Sequence, residues 1–273
     1  MKRPSHRGPR LVAWAALFLL AGQPLSAAAP YQLRVDKQGW GDAAHADIAK
    51  VLRSSCDAIA RHLGDAKLEE PIRVRRSREG PITLFRRNLR KEIVVELSAG
   101  DRFWCQYAYQ MAHEFAHILA GFREGGRENL WFEEALCELA SMFSLRSMAQ
   151  SWQTKPPYPN WKGYSSAIAE YSRDLERKFG LPRGLTLAEY YREHADHLRT
   201  NPTDRGKNGT VALALLPLLE ENPEAWQALR HLNDGRGKHN LPFAEHLRNW
   251  RDHCPERHRG FVDDVADALG LSL

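Results

Sequence analysis

The chain has 273 residues, 43% of them hydrophobic and 27% charged, enough for one large domain or two small ones. Its formal net charge is +5, but Lys2, Arg3, Arg7 and Arg10 carry four of those charges at the N-terminus with no acid to offset them. Removing four from five leaves about +1, so the overall charge gives no support for a nucleic-acid partner.

The four N-terminal cations precede an apolar run from Leu11 to Ala21, too short for a comfortable membrane span. Leu25-Ser26-Ala27-Ala28-Ala29 then supplies small residues for cleavage, and Pro30 moves the expected cut to after Ala27 or Ala28. Residues 1–28 read as a secretory signal peptide. The mature chain is then expected to be periplasmic or secreted, with no stable membrane insertion after cleavage. Cys56, Cys105, Cys137 and Cys254 all fall in the exported part. An even number there allows two disulfides, and four reduced buried thiols are the alternative. Their wide spacing, with no C-x-x-C, does not point to a thiolate zinc site.

Tyr31–Asp36 alternates in polarity and predicts a strand, followed by a helix over about 42–62 that Gly64 stops. Three short strands are expected at 72–75, 82–86 and 92–97, separated by Glu79-Gly80-Pro81 and by Asn88. Beyond Gly100-Asp101 the pattern turns helical: about 101–122 and 129–148, with the loop 123–127 between them. After the Pro-rich stretch 155–159, helices are expected near 161–179, 186–199, 209–221, 223–232, 241–252 and 256–269. A small sheet followed by helices is an α+β order, with a first lobe over 29–154 and a helical C-terminal lobe over 155–273.

The first of these later helices contains His113-Glu114-Phe115-Ala116-His117, an H-E-x-x-H pattern. Residues i and i+4 share a helix face, so both imidazoles can reach one Zn²⁺, with Glu114 placed as general base on the attacking water. The flanks Met111-Ala112 and Ile118-Leu119 are uncharged, so the face is expected to be buried. Two histidines and a glutamate on a buried face are costly unless paired or bound to a metal.

A catalytic zinc needs a third protein ligand and an open position. The glycine and third histidine of the metzincin pattern are absent, with Ala120 and Arg123 in their places. The next helix carries Trp131-Phe132-Glu133-Glu134-Ala135-Leu136-Cys137-Glu138. Together the two segments resemble the gluzincins, the thermolysin-like and aminopeptidase-like zinc peptidases, in their W-[apolar]-x-E-[small]-x-[AC] pattern. The resemblance implies a zincin-like fold, hydrolysis of a peptide or protein substrate, and zinc ligands His113, His117 and Glu134. It also implies that Glu138, one turn beyond Glu134, accepts the free ring N–H of His113. Sixteen residues separate His117 from Glu134, a shorter connection than is usual in that group, which leaves Glu133 and Glu138 as fallback ligands. Glu133 points about 100° away from Glu134 on the helix, so the two are not expected to face the metal together.

The gluzincins stabilise the oxyanion with a Tyr or His from a later helix. The nearest match here, Gly206-Lys207-Asn208-Gly209, has Gly206 where the tyrosine would stand. Asn208, Tyr158, Tyr164, His194 and His197 are the remaining donors considered. In zincins the strand before the zinc helix, here 92–97, is a sheet edge that pairs with extended substrate. Residues 73–91 hold eight cations against Glu79 alone, a stretch suited to a polyanion or to lipid head groups, although a solvated strand face is the plainer account. Two other readings stand beside the peptidase: a non-catalytic binding or scaffold protein on this fold, and a non-protease zinc hydrolase. Glu114, which a purely structural zinc would not need, favours an enzyme.

Overall fold

The structure is a computed structural model that describes residues 30–121, 128–234 and 241–273. The proposed signal peptide and the loop 123–127 lie outside the described residues. The architecture is α+β. Four strands, β1 (Leu33–Val35), β2 (Ile72–Arg76), β3 (Ile82–Thr83) and β4 (Ile93–Leu97), form one sheet in the order β1-β2-β4-β3. β1, β2 and β4 run parallel, and β3 is antiparallel to β4, with Thr83 opposite Val95. Among the described residues nine α-helices accompany the sheet.

Burial explains the strand order. Ile93, Val94, Val95 and Leu97 are all buried, the near-continuous apolar run of an internal strand. β4 is therefore not the edge that the comparison with zincins implies; that place belongs to the two-residue β3. In β2 only Ile72 and Val74 are buried, and the alternate arginines face outward. Arg73 pairs with Asp36 and Arg75 with Glu96, and on the neighbouring β1 Arg34 pairs with the buried Glu92.

Helix α1 (His45–Ala60) crosses between β1 and β2 and buries Ile48, Val51, Leu52, Ser55, Cys56 and Ile59, a helical stripe. It packs on α2 (Trp104–Leu119) and α3 (Leu130–Ser151), which in turn pack on one another. α3 is buried along nearly its whole length because α4 (Tyr164–Phe179) and α6 (Arg205–Glu221) cover its other side. Small hydroxyl residues join the three central helices: Ser55 Oγ donates to Ala108 O at 2.6 Å, Ser144 Oγ to Ser55 O at 3.0 Å, and Ser141 Oγ to Tyr109 O at 2.9 Å. These bonds satisfy buried hydroxyls and fix how α2 slides against α3. The remaining helices are α5 (Leu187–Thr200), α7 (Trp226–Leu229), α8 (Phe243–His253) and α9 (Glu256–Ala268). One apolar cluster runs from Tyr31 through Leu269.

α6 starts four residues earlier than the sequence pattern predicts. Asp204 caps it by accepting from the Gly206 and Lys207 backbone N–H groups at 3.0 and 3.2 Å, so Gly206, Lys207 and Asn208 also lie inside the helix. Gly209 is required there by packing: a Cβ at this position would sit 2.6 Å from the Phe179 ring of α4.

Candidate metal centre

α2 and α3 carry the histidines, the carboxylates and the thiol of the centre. On α2, His113, Glu114 and His117 are all buried, and the two imidazole centroids lie 5.0 Å apart. On α3, Glu133, Glu134, Cys137 and Glu138 occupy positions i, i+1, i+4 and i+5, so they gather along the side that meets α2. The N-terminal end of α3 is anchored by Trp131, which stacks on Tyr191 of α5 and packs against Phe243 of α8.

The structure brings His113, His117 and Glu134 together. Glu134 Oε2 lies 3.2 Å from His113 Nε2, and Oε1 lies 3.6 Å from His117 Nε2. The two histidines and their neighbouring positive charge, Arg205, outweigh burial and hold Glu134 below its usual carboxylate range. The opposite ring nitrogens face carboxylates of their own. Glu133 Oε1 lies 2.8 Å from His117 Nδ1, placed to accept its N–H, so that Nε2 is the ring nitrogen turned toward Glu134. Glu138 Oε1 stands 3.8 Å from His113 Nδ1, beyond hydrogen-bond reach. His113 Nδ1 and Glu138 Oε2 are accordingly buried with no hydrogen-bond partner among the described residues.

Glu138 has a different close neighbour, Arg205 at the start of α6, whose Nε donates at 3.0 Å. Burial pushes the Glu138 carboxyl up to about 7, with Arg205 and Lys178 offsetting part of that effect. Glu133 is fixed from behind by Asn233, whose Nδ2 donates to Glu133 Oε2 at 2.8 Å and to Ala120 O at 3.0 Å. Glu114 points toward the sheet, where Thr83 Oγ1 donates to its Oε2 at 2.8 Å.

Cys137 is the residue that linear spacing hid. His113, His117 and Cys137 form a buried group whose donor atoms lie within 4.8 Å of one another, close enough to share a metal ion. The absence of C-x-x-C is therefore no guide here, because the thiol joins imidazoles from another helix. Burial raises the Cys137 thiol to about 12, although His117 pulls it down. Burial would lower His117, but Cys137 and Glu133 outweigh it and hold the imidazole well above its ordinary value. All four cysteines are free thiols.

The donors considered for the oxyanion each have neighbours of their own among the described residues. Asn208 Nδ2 donates to Pro202 O, His197 pairs with Asp204 at 2.7 Å, and His194 packs on Tyr190. Tyr158 and Tyr164 pack against Trp161. Arg205, Thr83, Asn233 and Cys137 were not singled out by sequence. Cys137 alone had a local signal, since it fills the last position of the W-[apolar]-x-E-[small]-x-[AC] pattern. No family model matches this chain, and no curated protein or solved structure matches it.

Proposed function

We propose that the protein is an exported zinc-dependent peptidase on a zincin-like fold, with His113, His117 and Glu134 as metal ligands and Glu114 as general base. The observation that carries this reading is the Glu134 carboxylate lying against both imidazole Nε2 atoms, with a second carboxylate on the histidine helix, Glu114, fixed in orientation by Thr83. Two imidazoles and a carboxylate suit Zn²⁺, and Glu133 stands behind the His117 ring where a carboxylate fixes the tautomer of a zinc-binding histidine. Glu138, 3.8 Å from His113 Nδ1 and held by Arg205, does not take that role. When bound, Zn²⁺ supplies a Lewis acid for the substrate carbonyl and lowers the pKa of water.

The chain's own residues supply the rest. Glu114 accepts a proton from the attacking water and returns it to the leaving amine. Arg205 is held by Glu138 through Nε, and its half-exposed guanidinium offers further N–H donors for the developing oxyanion. β3 ends the sheet, and its outer edge offers backbone groups to an extended peptide.

Cys137 favours a second reading. With a thiolate as well as Glu134, the two histidines would have four protein donors and no open position, and the metal would hold a binding or scaffold protein together. Zinc content and turnover of a peptide library separate the two, measured on wild type, Glu114→Gln, Glu134→Ala and Cys137→Ser. The peptidase reading expects Glu114→Gln to keep zinc and lose about 10²-fold or more in turnover. It expects Glu134→Ala to lose zinc and Cys137→Ser to keep both zinc and activity. Unchanged turnover in Glu114→Gln sinks it. An inactive wild type that needs Cys137 to hold zinc establishes the structural site instead.

A further inference from the structure

The turn joining β3 to β4 is ordered from within. Asn88 Oδ1 accepts from the backbone N–H groups of Arg90 and Glu92 at 2.9 and 3.0 Å, and its Nδ2 donates to Glu92 Oε2 at 2.8 Å. The ladder closes below it, with Leu84 N donating to Val94 O at 2.9 Å and Asn88 N to Glu92 O at 3.2 Å. This fixed turn displays apolar side chains to water. Leu89 is fully exposed at 105%, Phe85 is 46% exposed and Ile82 43%. These are three of the six large exposed hydrophobics among the described residues, gathered in eight positions.

The same turn is one-sided in charge. Arg86, Arg90 and Lys91 are exposed and have no ion-pair partner among the described residues, whereas Arg87 is taken up by Glu70 at 2.7 Å. Residues 82–91 contain no acid, and Glu92 is buried and committed to Arg34 and Asn88. A single exposed leucine needs no explanation. A leucine and a phenylalanine interleaved in sequence with three cations that have no ion-pair partner among the described residues, on a pre-ordered turn, match the two components of an anionic bilayer surface, acyl boundary and phosphate headgroup.

We propose that the β3–β4 turn docks the protein on anionic lipid membranes, with Leu89 and Phe85 entering the interface and Arg86, Arg90 and Lys91 pairing with headgroup phosphates. Thr83, which holds Glu114, lies two residues before Phe85, so docking sets the candidate metal centre at the lipid surface. This inference does not depend on the identity of the metal or on catalysis.

The test uses the full chain carrying Leu89→Cys labelled with an environment-sensitive fluorophore, which reads the turn itself and not residues 1–28. Vesicles of phosphatidylcholine with about one-third phosphatidylglycerol should shift the emission to the blue, and salt should reverse the shift. Pure phosphatidylcholine should give little. Combining the label with Arg86→Glu, Arg90→Glu and Lys91→Glu should weaken the response about tenfold to a hundredfold. These exposed side chains make no ion pair among the described residues, and circular dichroism of the variant should match wild type. No shift with anionic vesicles overturns the proposal, as does a shift that the charge reversals leave intact. A shift produced by inorganic phosphate alone, or by a peptide and not by vesicles, assigns the turn to those ligands and overturns lipid docking.

Discussion

Thr83 Oγ1 donates to Glu114 Oε2 at 2.8 Å, so the edge strand β3 holds the carboxylate that lies between the two histidines of α2. A general base works only in the orientation that its supporting hydrogen bonds allow. Under the peptidase reading, Thr83→Val should retain zinc and lower kcat about tenfold, with KM less affected. Steady-state kinetics beside a zinc assay check this. Undiminished kcat would remove Thr83 from the orienting role.

Glu133 braces His117 and is itself braced by Asn233. Glu133→Ala should weaken metal binding by about 10- to 100-fold, the usual consequence of removing a carboxylate behind a metal-binding histidine. Asn233→Ala should act in the same direction by a smaller factor. Competition against a chelator of known affinity measures both. If Glu133→Ala abolishes binding altogether, Glu133 is a ligand and not a brace.

Gly209 lies where α6 meets α4, and an added Cβ would come within 2.6 Å of the Phe179 ring. Helix propensity alone would make Gly209→Ala stabilising by about 1 kcal/mol. Overpacking against a fully buried aromatic costs about 1–3 kcal/mol and should win. Urea denaturation should show a net loss of stability. A gain would mean that Phe179 yields easily.

Glu92 links β4 to Arg34 and to the Asn88 turn. The Asn88 hydrogen bond is the largest influence on it, and with Arg34 and Arg73 it outweighs burial and holds the carboxyl below the ordinary 4.5. The unfolded chain therefore binds the proton more readily. Glu92 contributes stability that is present above about pH 4.5 and is lost as the pH falls through its lower folded value. Glu92→Gln should be less stable than wild type at neutral pH, and the gap should narrow in acid. A gap that does not change with pH would contradict this ionic role.

Local pattern and tertiary contact divide this protein cleanly. The α+β order was legible in the chain because a short β-branched apolar run such as 93–97 reads as a strand and a longer uninterrupted segment such as 104–119 reads as a helix. The relation of His113 to His117 was legible too, since an i, i+4 spacing on a helix fixes it without reference to anything else. The start of α6 was not, because the Asp204 cap begins the helix four residues before the expected 209 and so carries it through Gly206. Which strand forms the sheet edge was decided only in three dimensions. β4 comes just before the zinc-type helix in sequence, but β3 folds back along it and covers that side. The same holds for Cys137, Asn233, Arg205 and Thr83. Each reaches the centre from a different element, and hydrogen bonds or charge contacts between distant segments leave no mark on periodicity. The sequence by itself determined two imidazoles and a carboxylate on one helix. The packing of α3, α6 and β3 around that helix decided what those groups touch.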